Sequence, residues 1–389
     1  MKIGRLLEDR LNIAYEMRLE GFESITPHLI GPPGIGKSLF VVEWAKKKAR
    51  QMGLEFVDVD RINPEDVEKY IEEADKYFVF KDCRLTSMDP VDLSGLPRSV
   101  GSKYVAFLPL ATARLLNACA GILFLDEFCN ESRPNMLSAA FKIVRDYKIG
   151  DMVLNQKAFV IAASNTAETS SLATSLPKPL RDRFDFIEVE APEINDWIEW
   201  MNEKYGNYWD KRAAAYLLWK PSGFLANITD NVQDNGYEPP ATPRGWTYVA
   251  VAFKKAAQRG DGELLASMAR GKLGRVGESF IAFLRNKVPS FEELVRRPEV
   301  MSEFNIEQKY LAAVTVAEAV KRSKAKIAAA KPFLEFVAGS DDREFVMALF
   351  TLLPRELRRE VYSAVRDNEK IVECIARAGK ALLSVSETA

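Results

Sequence analysis

One histidine and four cysteines are all that 389 residues supply of the nitrogen and thiolate ligands that zinc sites use. The cysteines, Cys83, Cys119, Cys129 and Cys374, form no C-x-x-C pair. A zinc site is therefore not expected, and the usage fits reduced, buried thiols in a cytoplasm. No apolar run approaches the roughly 18 residues that a membrane span needs. The most apolar stretch, residues 120–128, is interrupted by Asp126 and Glu127, so no membrane partner is expected. The first residues carry Glu8 and Asp9 and no apolar signal core, which argues against a secretory leader. Excess charge is also missing. Lys+Arg 54 against Asp+Glu 55 gives a net charge of -1. That balance does not push toward nucleic acid, although a local basic channel fits within it. No internal repeat or low-complexity tail is present.

What is there is an ordinary globular profile. The chain is 47% hydrophobic and 28% charged, enough for a sizeable core in two or three domains. Residues Gly31-Pro32-Pro33-Gly34-Ile35-Gly36-Lys37-Ser38 fill every position of G-x-x-x-x-G-K-[ST], followed by Leu39. Glycines allow backbone N–H groups to cradle phosphate oxygens. The Lys37 ammonium reaches the β- and γ-phosphates, and the Ser38 hydroxyl suits Mg²⁺. The apolar run His28-Leu29-Ile30 predicts a strand entering the loop. Leu39, Val42, Ala45 and Ala49 at helical spacing predict a helix over 38–52. That helix would aim its positive end at the phosphates.

The region from 28 to 190 alternates strand-like and helical segments. Strands are expected at 55–59, 77–80, 122–125, 159–163 and 186–189, and helices at 63–74 and 136–144. The alternation predicts an α/β domain with a parallel, doubly wound sheet and the phosphate site at its carboxyl edge. This domain is taken as 1–191, including a helix over 1–23 with Leu7, Leu11, Tyr15 and Leu19 on one face. Beyond Pro192 the signals are helical, at 195–204, 210–219, 246–257, 305–330 and 342–385. A polar, proline-bearing loop is expected at 227–243, and Pro332 and Pro354 read as punctuation. The expected division is an all-helical lid at 192–290 and a C-terminal helical region at 291–389.

Three further segments carry chemistry. Ile122-Leu123-Phe124-Leu125-Asp126-Glu127 is an apolar strand ending in two carboxylates. Asp126 there suits Mg²⁺ through its water shell, and Glu127 suits orienting and deprotonating an attacking water. Phe159-Val160-Ile161-Ala162-Ala163-Ser164-Asn165 repeats the design with a neutral amide that can bond water or the γ-phosphate. A strand-terminal turn is the plainer reading of Asn165. Pro179-Leu180-Arg181-Asp182-Arg183-Phe184-Asp185 places two arginines before the next strand. They suit charge on the γ-phosphate, or a salt bridge with Asp182 or Asp185. Arg244, after Thr242-Pro243, suits phosphate or helix capping.

Taken in order, the phosphate loop, Leu-Asp-Glu, Ser-Asn-Thr, Asp-Arg-Phe-Asp and Thr-Pro-Arg resemble an AAA+ ATPase over residues 25–255. More narrowly they resemble the MoxR-like, dynein-related branch. Asp89-Pro90-Val91-Asp92-Leu93-Ser94-Gly95 is similar to its D-x-x-D-L-x-G motif. Asp126-Glu127-Phe128-Cys129-Asn130-Glu131-Ser132-Arg133-Pro134 is similar to its D-E-[IL]-N-R-A-P segment, with Arg133 displaced by a small gap. Thr242-Pro243-Arg244-Gly245-Trp246 is similar to its T/S-P-R-x-W motif. The resemblance implies ATP and Mg²⁺ as ligands, with Lys37 and Ser38 as Walker A, Asp126 and Glu127 as Walker B and Asn165 as sensor 1. It implies Arg183 as a finger reaching a neighbouring subunit, Arg181 in reserve, and Arg244 at sensor 2. It also implies a homo-oligomeric ring, usually hexameric, that remodels a protein partner, with a separate von Willebrand A-type protein as one candidate. The rival reading is a nucleic-acid motor. Its only support is the Lys46-Lys47-Lys48-Ala49-Arg50 run and the Arg355, Arg358, Arg359 cluster, both expected on exposed helix faces. A nucleotide switch with little turnover is a third reading, opposed by the presence of Glu127 and Arg183.

Overall fold

The computed structural model describes residues 4–22, 25–166, 176, 178–228 and 238–377. Most of the expected 227–243 loop and the end of the expected 342–385 helical stretch lie outside these residues. The chain forms two compact units, one built on residues 1–191 and one beginning at Pro192.

The first unit is organised by six strands: β1 (Thr26–Ile30), β2 (Glu55–Asp58), β3 (Tyr77–Arg84), β4 (Ala120–Asp126), β5 (Ala158–Ser164) and β6 (Phe184–Glu188). Their order across the sheet is β6-β1-β5-β4-β3-β2, and every pairing is parallel. Every residue of β4 and β5 is buried, as their unbroken apolar runs require of strands covered on both faces. The chain leaves β1 toward the β2 edge, returns through β3, β4 and β5, then crosses to β6 beyond β1. The carboxyl ends of β1 and β5 thus meet where the winding changes direction, and Ile30 pairs with Ser164 there. Helix α1 (Arg5–Leu19) buries Leu7, Leu11 and Tyr15. Helix α2 (Lys37–Gln51) follows β1.

Several expectations shift. The helix read over 63–74 is a short α-helix, Val67–Glu72, flanked by 3₁₀ turns at Pro64–Asp66 and Ala74–Lys76. β3 runs four residues past the expected 77–80, to Arg84. Two antiparallel hairpins were not expected: Leu96–Val100 with Tyr104–Leu108, and Lys148–Ile149 with Met152–Val153. The first lies largely exposed, so it lacks the buried alternation that marks a strand in sequence.

Among its described residues the second unit is helical apart from the isolated bridge between Ala226 and Ala241. One continuous core runs from Trp197 to Ile375. At its centre Tyr216, Trp246 and Phe280 pack ring on ring, with centroids 5.3–5.4 Å apart. The buried Trp246 indole donates to the Gly223 carbonyl at 2.7 Å. Pro332 does not punctuate; it sits inside the helix Ala325–Gly339. Burial of Phe333, Leu334 and Val337 on that helix outweighs the roughly 3 kcal/mol a proline costs in a helix interior. Pro354 does separate Glu344–Leu352 from Arg355–Val365. Among the described residues, no helix is long and apolar enough to cross a membrane.

Candidate nucleotide site

The loop between β1 and α2 has the backbone its glycines allow. Gly34 has φ 74° and Gly36 φ 106°, conformations that a side chain disfavours. Gly31 is needed for a different reason: a Cβ there would lie 2.2 Å from the Val189 carbonyl oxygen. Ile35 is buried and anchors the loop, Pro32 and Pro33 are half-buried, and Leu39 is exposed. Lys37 is buried, and its ammonium donates to the Gly31 carbonyl at 2.6 Å, the Pro32 carbonyl at 2.9 Å and Asn165 Oδ1 at 3.2 Å. The Ser38 hydroxyl donates to Asp126 Oδ2 at 2.8 Å. Residues 128 and 88 positions away in sequence are thereby brought onto one loop.

The carboxylate strand ends in an unusual turn. Asp126 is buried, and its Oδ1 accepts the Glu127 N–H at 2.9 Å. Glu127 has φ 54°, a left-handed conformation for a residue with a side chain. Such backbone is retained where surrounding contacts hold it, and it gathers at functional sites. A 3₁₀ turn, Phe128–Asn130, follows, with Asn130 N–H bonded to the Glu127 carbonyl at 2.9 Å.

Sequence reasoning missed two members of this neighbourhood. Asp82 lies on β3, on the same face as Asp126, since Asp82 pairs with Phe124 and Arg84 with Asp126. Burial first, and the Asp126 charge second, push its carboxyl up to about 6. Its Oδ1 is buried without a hydrogen-bond partner among the described residues. The sequence signal was weak, because two adjacent charged residues, Lys81 and Asp82, interrupt the apolar run before Cys83. The second is Ser164, whose carbonyl accepts the Gly31 N–H at 3.2 Å and whose hydroxyl accepts the Cys129 N–H at 2.9 Å. Arg133, displaced from the family pattern, is a brace. Its guanidinium bonds the buried Glu131 and the Leu85 and Met88 carbonyls, all within 3.0 Å.

Within the first unit, Arg183 and Arg181 are not brought to this loop. Arg183 is half-buried and precedes β6, whose first residue pairs with Thr26 at the start of β1. It stands at the opposite end of that strand pair from Lys37, roughly 13–16 Å away along the strands. Arg181, exposed, lies at the same end. Asp185 is bonded to Arg10 of α1. Arg244 belongs to the second unit, exposed on the first turn of the helix Pro243–Ala256, where Thr242 caps the Gly245 N–H at 3.2 Å. The basic run on α2 is occupied locally: Lys46 bonds Glu43 and Lys47 bonds Glu8. Arg358 departs from expectation. It is buried and bonded to Glu199 and to the Leu353 and Thr351 carbonyls, so it is not a decoration of an exposed face.

No protein-family model matches the chain, and no curated protein matches it. Among solved structures, the chain is similar to the Thermotoga maritima RuvB Holliday junction branch migration motor, at 16% identity and TM-score 0.33 over 77% of each chain. It is similar to the Aeropyrum pernix ORC1 protein in complex with DNA, at 15% identity and TM-score 0.35 over 94% of this chain and 92% of that one. It is also similar to NtrX from Brucella abortus in complex with ATP, at 14% identity and TM-score 0.33 over 90% and 68%. With TM-scores this low, the site is read from its own geometry.

Proposed function

We propose that this chain is a Mg²⁺-dependent AAA+ nucleoside triphosphatase of MoxR-like type, with ATP as substrate. In this reading it works as a homo-oligomeric, six-membered ring on a protein partner, of which a von Willebrand A-type protein is one candidate. One observation carries the reading: Lys37, Ser38, Asp126 and Asn165, from the ends of three parallel strands, are hydrogen-bonded together on one glycine loop. In it the Lys37 ammonium exchanges loop carbonyls for β- and γ-phosphate oxygens. Glu127 takes the proton of the attacking water, and Asn165 orients that water.

Hard oxygen donors suit Mg²⁺ at this place. Ser38 and Asp126 are already paired, and Asp82 keeps a buried oxygen with no hydrogen-bond partner among the described residues. Among those residues no group of three or more His, Cys, Asp or Glu could hold a metal ion. That agrees with an ion bound chiefly through phosphates and water. Ser38 and Asp126 would hold it, and the ion would neutralise charge on the phosphates.

Arg183 stands at the far end of its own β1–β6 pair, so its action on phosphate would fall on a neighbouring copy. Arg181 is the reserve for that role, and Arg244 is the sensor 2 candidate. The nucleic-acid alternative loses support because Lys46, Lys47, Arg355 and Arg358 are engaged in ion pairs. Phosphate release from ATP by the purified chain tests the reading. Turnover should need Mg²⁺, vanish in Arg183→Ala, and partly return when that variant is mixed with Lys37→Ala. Turnover unaffected by chelation, or a mixture that stays inert, would contradict the metal and the shared site respectively.

A further inference from the structure

We propose that Ser164, held by His28, is a positioning residue that fixes the Glu127 turn against the phosphate loop. The proposal rests on the hydrolase reading above and adds to it roles for Ser164 and His28 that the motifs leave unassigned. His28 is the chain's single histidine and lies wholly buried on β1. Its ring packs against Phe184, Phe186 and Phe128, with centroids 4.7, 5.2 and 5.7 Å away. Its Nε2 lies 2.7 Å from Ser164 Oγ, while Nδ1 is buried without a partner among the described residues. The assignment that leaves no buried N–H without an acceptor puts the ring proton on Nε2. Ser164 Oγ then accepts two hydrogens, one from His28 and one from the Cys129 N–H.

The consequence follows from where those hydrogens come from. Cys129 is two residues beyond Glu127, inside the 3₁₀ turn that follows its left-handed backbone. The Ser164 carbonyl meanwhile holds the N–H of Gly31, the first residue of the loop. Asn165, the next residue, bonds Lys37. One serine at the end of β5 therefore ties the loop, the Lys37 partner and the Glu127 turn together. A histidine that stays neutral fixes its hydroxyl. Without that hydroxyl the Cys129 N–H loses its acceptor, and the turn is free to relax away from the geometry that aims Glu127.

The test separates aim from binding. Ser164→Ala should lower kcat for ATP about 10- to 100-fold, the cost of misplacing a catalytic group by about 1 Å, with nucleotide Kd within about threefold of the parent. His28→Leu should behave like Ser164→Ala. His28→Gln keeps an Nε2–H donor at similar reach and should retain about tenfold more turnover than His28→Leu. Turnover of Ser164→Ala within twofold of the parent, loss of affinity in step with turnover, or equal values for the two His28 variants would each overturn the proposal. Should Ser164→Ala not fold, the His28 pair decides. Should the parent show no turnover, the hydrolase reading falls by itself. Amide exchange of Cys129 then still decides the network: at least about tenfold faster exchange in Ser164→Ala supports it, and equal protection overturns it.

Discussion

Both units bury cations, and they use them in opposite ways. In the helical unit Arg358 donates to the Thr351 and Leu353 carbonyls and Lys211 to the Leu352 carbonyl, at 2.8–3.0 Å. These are the last carbonyls of the helix Glu344–Leu352 and the residue after it, groups that no further helical turn can satisfy. Glu199 balances the charge. The Arg358 circuit is closed: its donors meet helix-end carbonyls and a carboxylate of the same unit. At the sheet edge of the first unit, Lys37 donates to carbonyls of its own loop, and Asp82 holds an oxygen with no partner among the described residues. Groups of the first kind hold packed helices together. Groups of the second kind have capacity left for a charged ligand. The contrast sorts buried charge into structural and chemical without reference to any relative.

The contrast breaks most visibly at Glu127. Removing a positioned general base costs about 10²- to 10⁴-fold in rate, so Glu127→Gln should abolish measurable phosphate release while the thermal midpoint stays put. A variant that still turns over ATP at half the parent rate would empty the open edge of its proposed chemistry. The mirror experiment is Arg358→Ala. Leaving two helix-end carbonyls without their donor, and Glu199 with Arg355 alone, should destabilise the chain by about 2 to 4 kcal/mol, read by denaturant unfolding. ATP turnover per folded molecule should remain at the parent level. Loss of turnover at full stability would show that the closed circuit also serves the chemistry.

Legibility follows the same division. Lys37, Ser38, Asp126 and Asn165 were readable because each lies next to a local pattern: a glycine loop, or an apolar run that stops at a polar residue. The sheet was readable for the same reason, since β4 and β5 are apolar at nearly every position. What was not readable depends on which strands are neighbours. Ser164 becomes a hub only because β5 lies between β1 and β4, and His28 matters only because it faces Ser164 across that pairing. Asp82 needs the register of β3 against β4. Arg358 carried a weak signal that went unused: it precedes Val361 and Val365 at three and seven residues, the spacing of the face its helix buries.

His28 gives the comparison a pH axis. Burial pulls its pKa from 6.5 down to about 3. As pH falls through 6.5 the unfolded chain takes up a proton that the folded chain refuses until near 3. Stability present above pH 6.5 is therefore lost across that window, by about 1.4 kcal/mol per pH unit from this group. Urea unfolding at pH 6, 5 and 4 should show a shallower decline for His28→Gln than for the parent. Parallel declines would mean that the ring is not held neutral in the folded chain.

The smallest effect belongs to the exposed face of α2. Lys46 bonds Glu43 at 3.1 Å, Lys47 bonds Glu8, and Lys48 lies 5.8 Å from the centre of the Trp44 ring. The Lys47 side chain is 49% exposed. Such a pair is screened by water and salt, and Lys47→Ala should change stability by no more than about 1 kcal/mol. The informative measurement is the salt dependence of DNA binding in a variant with all three lysines changed to alanine. Each phosphate contact contributes about 0.9 to the slope of log affinity against log salt for duplex DNA. A run used as a phosphate track would lose close to three contacts, so its removal would flatten the slope by about 2.7. Lysines already engaged with acidic and aromatic side chains of their own unit should leave the slope unchanged. A flattened slope would make this face a third kind of charged surface, neither closed like the Arg358 circuit nor directed at a nucleotide like Lys37, and would put the nucleic-acid motor ahead of the protein-remodelling reading.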